Sequence, residues 1–119
     1  MSDFSWLDEY CRALKGTVKD FKEEWNATRY LLDGKMYALC GTDNTGRPVI
    51  TLKLEPLHGS YLRQRYEDII PGYYMNKLHW NSVYLDGDVP DNILRDMIDR
   101  SYAIVFASLT KKAQKEITG

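Results

Sequence analysis

Apolar residues recur at helical spacing near the start of the chain. Leu7, Tyr10, Cys11 and Leu14 stand at i, i+3, i+4 and i+7, which places them on one stripe of a helix over residues 3–15. Ser5 and Asp8 have the spacing of a capping box, and Gly16 is a C-terminal stop. The β-branched pair Thr17-Val18 after that glycine favours a strand over residues 17–22, although Val18, Phe21 and Trp25 also fit a helical period. Residues 27–32 and 35–42 flank Asp33-Gly34. Two residues of this type between apolar runs predict a hairpin closed by a type I′ turn, which requires positive φ at both positions. Asp43 to Pro48 reads as a second turn and Val49 to Leu54 as the next strand of a meander.

Pro56 suits the first turn of a helix over residues 56–68, carried by Leu57, Tyr61, Arg65, Tyr66 and Ile69 and weakened by Gly59. Pro71-Gly72 ends that region, and residues 79–85 alternate as a strand closed by Asp86-Gly87. Asp88 is expected to cap a final helix with Pro90 in its first turn. Its buried face is Leu94, Met97, Ile98, Ser101, Val105 and Leu109, and the helical period carries through the β-prone Ala103-Ile-Val-Phe106. Lys111, Lys112 and Lys115 follow as a basic tail. The expected fold is α+β in two layers: an antiparallel sheet of about five strands with helices at the N-terminus, middle and C-terminus, in the order α-β3-α-β2-α. With 119 residues the chain is expected to be one domain, 1–119, with a short basic tail at 110–119.

A formal net charge of −1 counts against avid general binding of nucleic acid, which draws on phosphate neutralisation, and leaves only a local patch to supply it. Cys11 and Cys40 stand alone, and neither a secretory leader nor a long apolar run occurs, so a reducing cytoplasm with no membrane anchoring is expected. There is no metal-binding spacing of His or Cys, no phosphate-cradling glycine motif and no nucleophile elbow. No cofactor is expected. Enzymatic work is not expected either, although His79, among Asn76, Lys77, Asn81 and Ser82, is the one histidine in a polar cluster with chemical potential.

The densest polar and aromatic stretch is Pro71-Gly-Tyr-Tyr-Met-Asn-Lys-Leu-His-Trp-Asn-Ser-Val83, followed by Asp86-Gly-Asp-Val-Pro90. Together with Gly34-Lys-Met-x-Ala-Leu39, Ser101-Tyr102 and Ala107-Ser-Leu109 it resembles the MmcQ/YjbR-like family, over about Leu7 to Leu109. The resemblance implies a small bacterial α+β domain similar in fold to type III secretion chaperones, with a DNA-binding label. The chain departs from the family at residues 20–25, where an Asp-aromatic-Pro-aromatic run is replaced by Asp20-Phe-Lys-Glu-Glu-Trp25. Cations interleaved with aromatics over residues 61–85 suit phosphate contact plus base stacking. On that reading Arg63, Arg65 and Lys77 contact phosphates, Tyr74 and Trp80 stack, and Asn76, His79 and Asn81 hydrogen-bond bases or sugars. It requires these residues to share one outward face. Two alternatives stand beside it. The domain is a protein-interaction or chaperone-like adaptor module, or it binds a small molecule through His79. The structural reading of the same run makes Pro71-Gly72 a turn, Trp80 a core plug, and Asn76 and Asn81 partners of backbone groups.

Overall fold

The computed structural model describes residues 5–72 and 76–119. Helix α1 spans Ser5–Ala13 and is followed by strand β1, Val18–Lys22. A short 3-10 turn, Glu23–Trp25, leads to β2 (Ala27–Leu32), β3 (Lys35–Thr42) and β4 (Pro48–Lys53). Then come α2 (Pro56–Arg65), β5 (Ile69–Pro71), β6 (Trp80–Tyr84), α3 (Asp91–Ala107) and α4 (Lys111–Thr118). The six strands form one antiparallel sheet in the order β1-β2-β3-β4-β6-β5, so the α+β two-layer expectation holds with one strand more than the five expected. The extra strand is β1, where the break at Gly16 (φ 82) wins over the continuing helical period.

The β2–β3 hairpin closes on Asp33 (φ 50) and Gly34 (φ 78), the two positive dihedrals its turn needs. The register slips between Tyr30 and Leu31, leaving Tyr37 bulged on β3. Ser101 on α3 supports that irregularity. Its hydroxyl donates to the Tyr37 carbonyl (2.6 Å) and accepts from the Lys53 amide (2.8 Å), so a fully buried polar side chain serves two backbone groups. The Tyr37 hydroxyl reaches the Cys11 carbonyl at 3.0 Å and ties α1 to the sheet.

Strand pairing sets the faces. Tyr30, Ala38, Leu52 and Asn81 lie side by side across four strands, flanked by the row Cys40, Ile50, Val83 and Ile69. This face meets the helices, and Leu94, Met97 and Ile98 of α3 are completely buried against it. Each such side chain stabilises the fold by about 2 kcal/mol through removal of apolar surface from water. The opposite face carries Arg29, Leu39, Thr51 and Ser82 in one row, with Lys53 beside Trp80 and Val49 beside Tyr84.

Two expectations are corrected. Asp88 does not cap α3. Pro90 is the N-cap, while the Asp88 amide donates to the Asp68 carboxylate at 3.0 Å. The basic tail is a helix. Thr110 caps α4 by accepting from the Ala113 amide (3.1 Å), and Ala113 is buried while Ile117 lies against Gly16.

Candidate nucleic-acid interface

Glycine and amide chemistry shape the run between β5 and β6. The Gly72 amide donates to the Trp80 carbonyl at 2.7 Å, and a Cβ at Gly72 would lie 2.7 Å from the Trp80 Cβ, so only glycine permits this approach. Asn76 builds the turn that follows. Its side-chain oxygen accepts from the Leu78 amide (2.9 Å) and its carbonyl from the Trp80 amide (2.9 Å). The His79 carbonyl accepts from the Leu54 amide at 2.8 Å and from the Asn81 side chain at 3.2 Å. Lys77 is exposed on this turn and the His79 ring is half-buried beside it. Tyr74 lies outside the described residues.

Trp80 and Asn81 are neighbours on β6 and therefore project to opposite faces. Asn81 is wholly buried on the helix side, accepting from the Arg63 guanidinium and pressed against Gly59, where a Cβ would come within 2.9 Å of its amide atoms. Trp80 is half-buried on the other face, beneath the Lys53 ammonium at 5.9 Å from the ring centroid. It belongs to the sheet surface and does not plug the core. Arg65 ends α2, with its guanidinium 5.9 Å from the centroid of Tyr66. The structure thus brings Asn76, Lys77, His79 and Trp80 together at one turn. Arg63, on α2, turns to Asn81 beneath the helix, and Arg65 is at the far end of that helix. The single outward face is not formed, because β alternation splits Trp80 from Asn81 and buried Asn81 engages Arg63.

The structure instead gathers lysines at one end of the sheet. Lys35 opens β3, and antiparallel pairing sets it at the same end of the sheet as Lys53, which closes β4, and Lys77, just before β6. Helix α4 lies across this end. The Lys35 ammonium reaches the Ser108 carbonyl (3.4 Å), and that of Lys15 reaches the Thr118 carbonyl (3.2 Å). Lys111, Lys112 and Lys115 occupy the exposed side of α4. Among the described residues none of these seven lysines has a carboxylate within ion-pair distance, although Asp33, Glu55 and Glu116 lie in the same region. From β1 to β6 is four strand spacings, roughly 20 Å. Sequence reasoning singled out the three α4 lysines and Lys77. It missed Lys15, Lys35 and Lys53, for which the readable signal was their position at the ends of predicted elements.

The other end of the sheet is closed by internal pairing. Arg47 makes a two-pronged contact to Asp86 (2.8 and 3.1 Å), lies 3.8 Å from Asp68 and stacks 3.7 Å over the Tyr84 ring. Asp43 accepts from the Thr45 hydroxyl (2.6 Å), the Tyr84 hydroxyl (2.9 Å) and two backbone amides. These donors, Thr45 first, hold its carboxyl down at about 2. The described residues contain no cluster of His, Cys, Asp or Glu able to hold a metal ion. Burial pushes the Cys11 thiol up to about 12, and the Cys40 thiol upward as well. No helix among the described residues is long and apolar enough to cross a membrane.

An open six-stranded antiparallel sheet roofed on one face by helices is the architecture of a recognised group of small domains. The YjbR family model matches residues 12–104, and the chain belongs to that family. It is 32% identical to the uncharacterized protein YjbR of Escherichia coli K12 over 111 residues, 93% of each chain. It is 38% identical to the uncharacterized protein YbdF of Escherichia coli O157:H7 over 88 residues, 74% of this chain and 71% of YbdF. Among solved structures, Deinococcus radiodurans protein DR2400 superposes with a TM-score of 0.84 at 31% identity, covering 94% of this chain and 85% of DR2400. A Pseudomonas syringae protein superposes with a TM-score of 0.74 at 26% identity, covering 88% and 99%.

Proposed function

We propose that this YjbR-family domain is a non-enzymatic nucleic-acid-binding module, with duplex DNA as its first candidate ligand, and that phosphates dock on the lysine-rich end. One observation supports this reading: seven lysines gather at one end of the sheet with no carboxylate partner among the described residues. Most of the molecule's other cations are neutralised internally, so a chain of net charge −1 still has one lysine-rich end. Its width of roughly 20 Å is comparable to six base-pair rises of 3.4 Å. Trp80 beneath Lys53, with His79 alongside, supplies a ring and hydrogen-bonding groups at the margin of that surface.

Titration of labelled single- and double-stranded DNA at two salt concentrations tests it. Affinity is expected to fall steeply with salt, with a log–log slope of magnitude up to about 6 if all seven lysines meet phosphates. Reversing the three α4 charges together (Lys111→Glu, Lys112→Glu, Lys115→Glu) is expected to lower affinity about a hundredfold with the fold intact. Binding that ignores salt, or no binding at low salt, removes the proposal.

A further inference from the structure

The two edges of the sheet are protected differently. Edge β5 has three residues and ends in Pro71, so it offers little backbone to a neighbour. Edge β1 has five residues, contains no proline and pairs with β2 without a bulge. Its outer backbone groups have no partner among the described residues. Exposed apolar side chains gather along it: Val18 (60%), Phe21 (57%) and, just beyond, Trp25 (52%). The usual deterrent to edge pairing, an unpaired lysine, is absent there. Lys19 is held by Asp8 (2.7 Å), Lys22 by Glu24 (3.2 Å), and Asp20 by Arg29 (2.5 Å).

The sequence of this edge identifies what would pair with it. Lys19-Asp-Phe-Lys-Glu23 carries opposite charges at equal distances on the two sides of Phe21. We infer that β1 pairs antiparallel with β1 of a second copy of this chain, with Phe21 on the two-fold axis. In that register Phe21 meets the partner's Phe21 and Asp20 meets the partner's Lys22 along the ladder, while Lys19 faces the partner's Glu23, the first residue of the 3-10 turn just beyond it, each charge pair occurring twice. Glu23 has no partner within its own chain among the described residues, so its carboxylate is available to the partner's Lys19. Moving the axis to Asp20 sets two carboxylates face to face and opposes Lys19 to a phenyl ring, so the complementarity also selects the register. The axis stands perpendicular to the sheet. The six-stranded sheet is continued into a second one, with both helical layers on the same side. This inference does not depend on nucleic-acid binding.

Sedimentation equilibrium over a range of concentrations is expected to show reversible growth from monomer to dimer mass. Phe21→Cys is a substitution at an exposed site that leaves the core untouched. Under mild oxidation its thiol is expected to form a symmetric disulfide, mapped by mass spectrometry, at least about tenfold faster than that of Leu57→Cys, a control on α2 at a still more exposed position. Glu23→Lys leaves the contacts within the monomer unchanged and is expected to weaken the dimer roughly tenfold, because it opposes two lysines twice. Monomer mass at every concentration overturns the inference. So does a position-21 thiol that links no faster than the control, or a dimer indifferent to Glu23→Lys.

Discussion

The two ends of the sheet employ their charged side chains in opposite ways. At the Arg47 end every strong cation is already engaged. Arg47 is gripped by Asp86, neighboured by Asp68 and laid over Tyr84, while Asp43 gathers four donors into one turn. At the α4 end the lysines touch backbone carbonyls or one tryptophan face, or nothing among the described residues. Electrostatic free energy at the first end holds connections in place. At the second the charges are hydrated and mutually repulsive, which weakens the fold slightly and favours any polyanion that arrives. Composition cannot separate the two cases, since net charge counts engaged and available groups alike.

The deepest engaged contact lies beneath α2, and disrupting it gives the largest effect. Asn81→Leu removes the acceptor for Arg63 and the donor to the His79 carbonyl at a site with no exposure. Stability is expected to fall by about 2 kcal/mol in urea unfolding, the cost of leaving such groups unpaired. DNA affinity per folded molecule is expected to stay the same. If affinity collapses while stability holds, Asn81 is a contact residue and the contrast between engaged and available groups fails at its most buried point.

Much of this was readable before any coordinates. The Asp33-Gly34 hairpin, the three strands of the meander, both long helices and the helical reading of Ala103 to Phe106 follow from turn chemistry and periodicity. Strand β1 was readable less clearly, because Val18, Phe21 and Trp25 fit two periods and only the glycine before them broke the tie. The opposite fates of Trp80 and Asn81 were also legible in principle, since a predicted strand over 79–85 places them on different faces. Grouping them by chemistry hid that geometry. Side-chain partnership was not legible. Nothing local tells Arg63 to seek Asn81, or Lys35 to lie beside Ser108, because those choices depend on how α2 and α4 pack.

Acid probes the engaged carboxylates by titration. The Asp43 carboxyl is held at about 2 by Thr45, Tyr84 and backbone donors, and that of Asp8 at about 2 by Lys19, then Tyr30 and Arg12. Both lie below the ordinary 3.8, so the folded state favours the ionised form. Their stabilisation is complete above the ordinary value and is lost as pH falls from there toward about 2. Asp43→Asn is expected to lower the melting midpoint at about pH 6, with wild type and variant converging near about pH 2. A constant difference across that window would mean that the hydrogen-bond geometry matters at Asp43 and its charge does not.

The finest discrimination compares two cations that one hypothesis had placed together. Lys77 stands on the Asn76 turn, at the lysine-rich end, without a partner among the described residues. Arg65 stands at the last turn of α2 with its guanidinium beside Tyr66, and α2 runs away from that end before β5 begins. Removing Lys77 costs no contact within the described structure, so Lys77→Ala is expected to leave thermal stability unchanged. It is expected to reduce the salt slope for duplex DNA by about 0.9, the contribution of one phosphate neutralised. Arg65→Ala is expected to leave that slope as it is. Should Arg65→Ala flatten the slope while Lys77→Ala does not, phosphates lie along α2 and the cationic end is only a solvated surface.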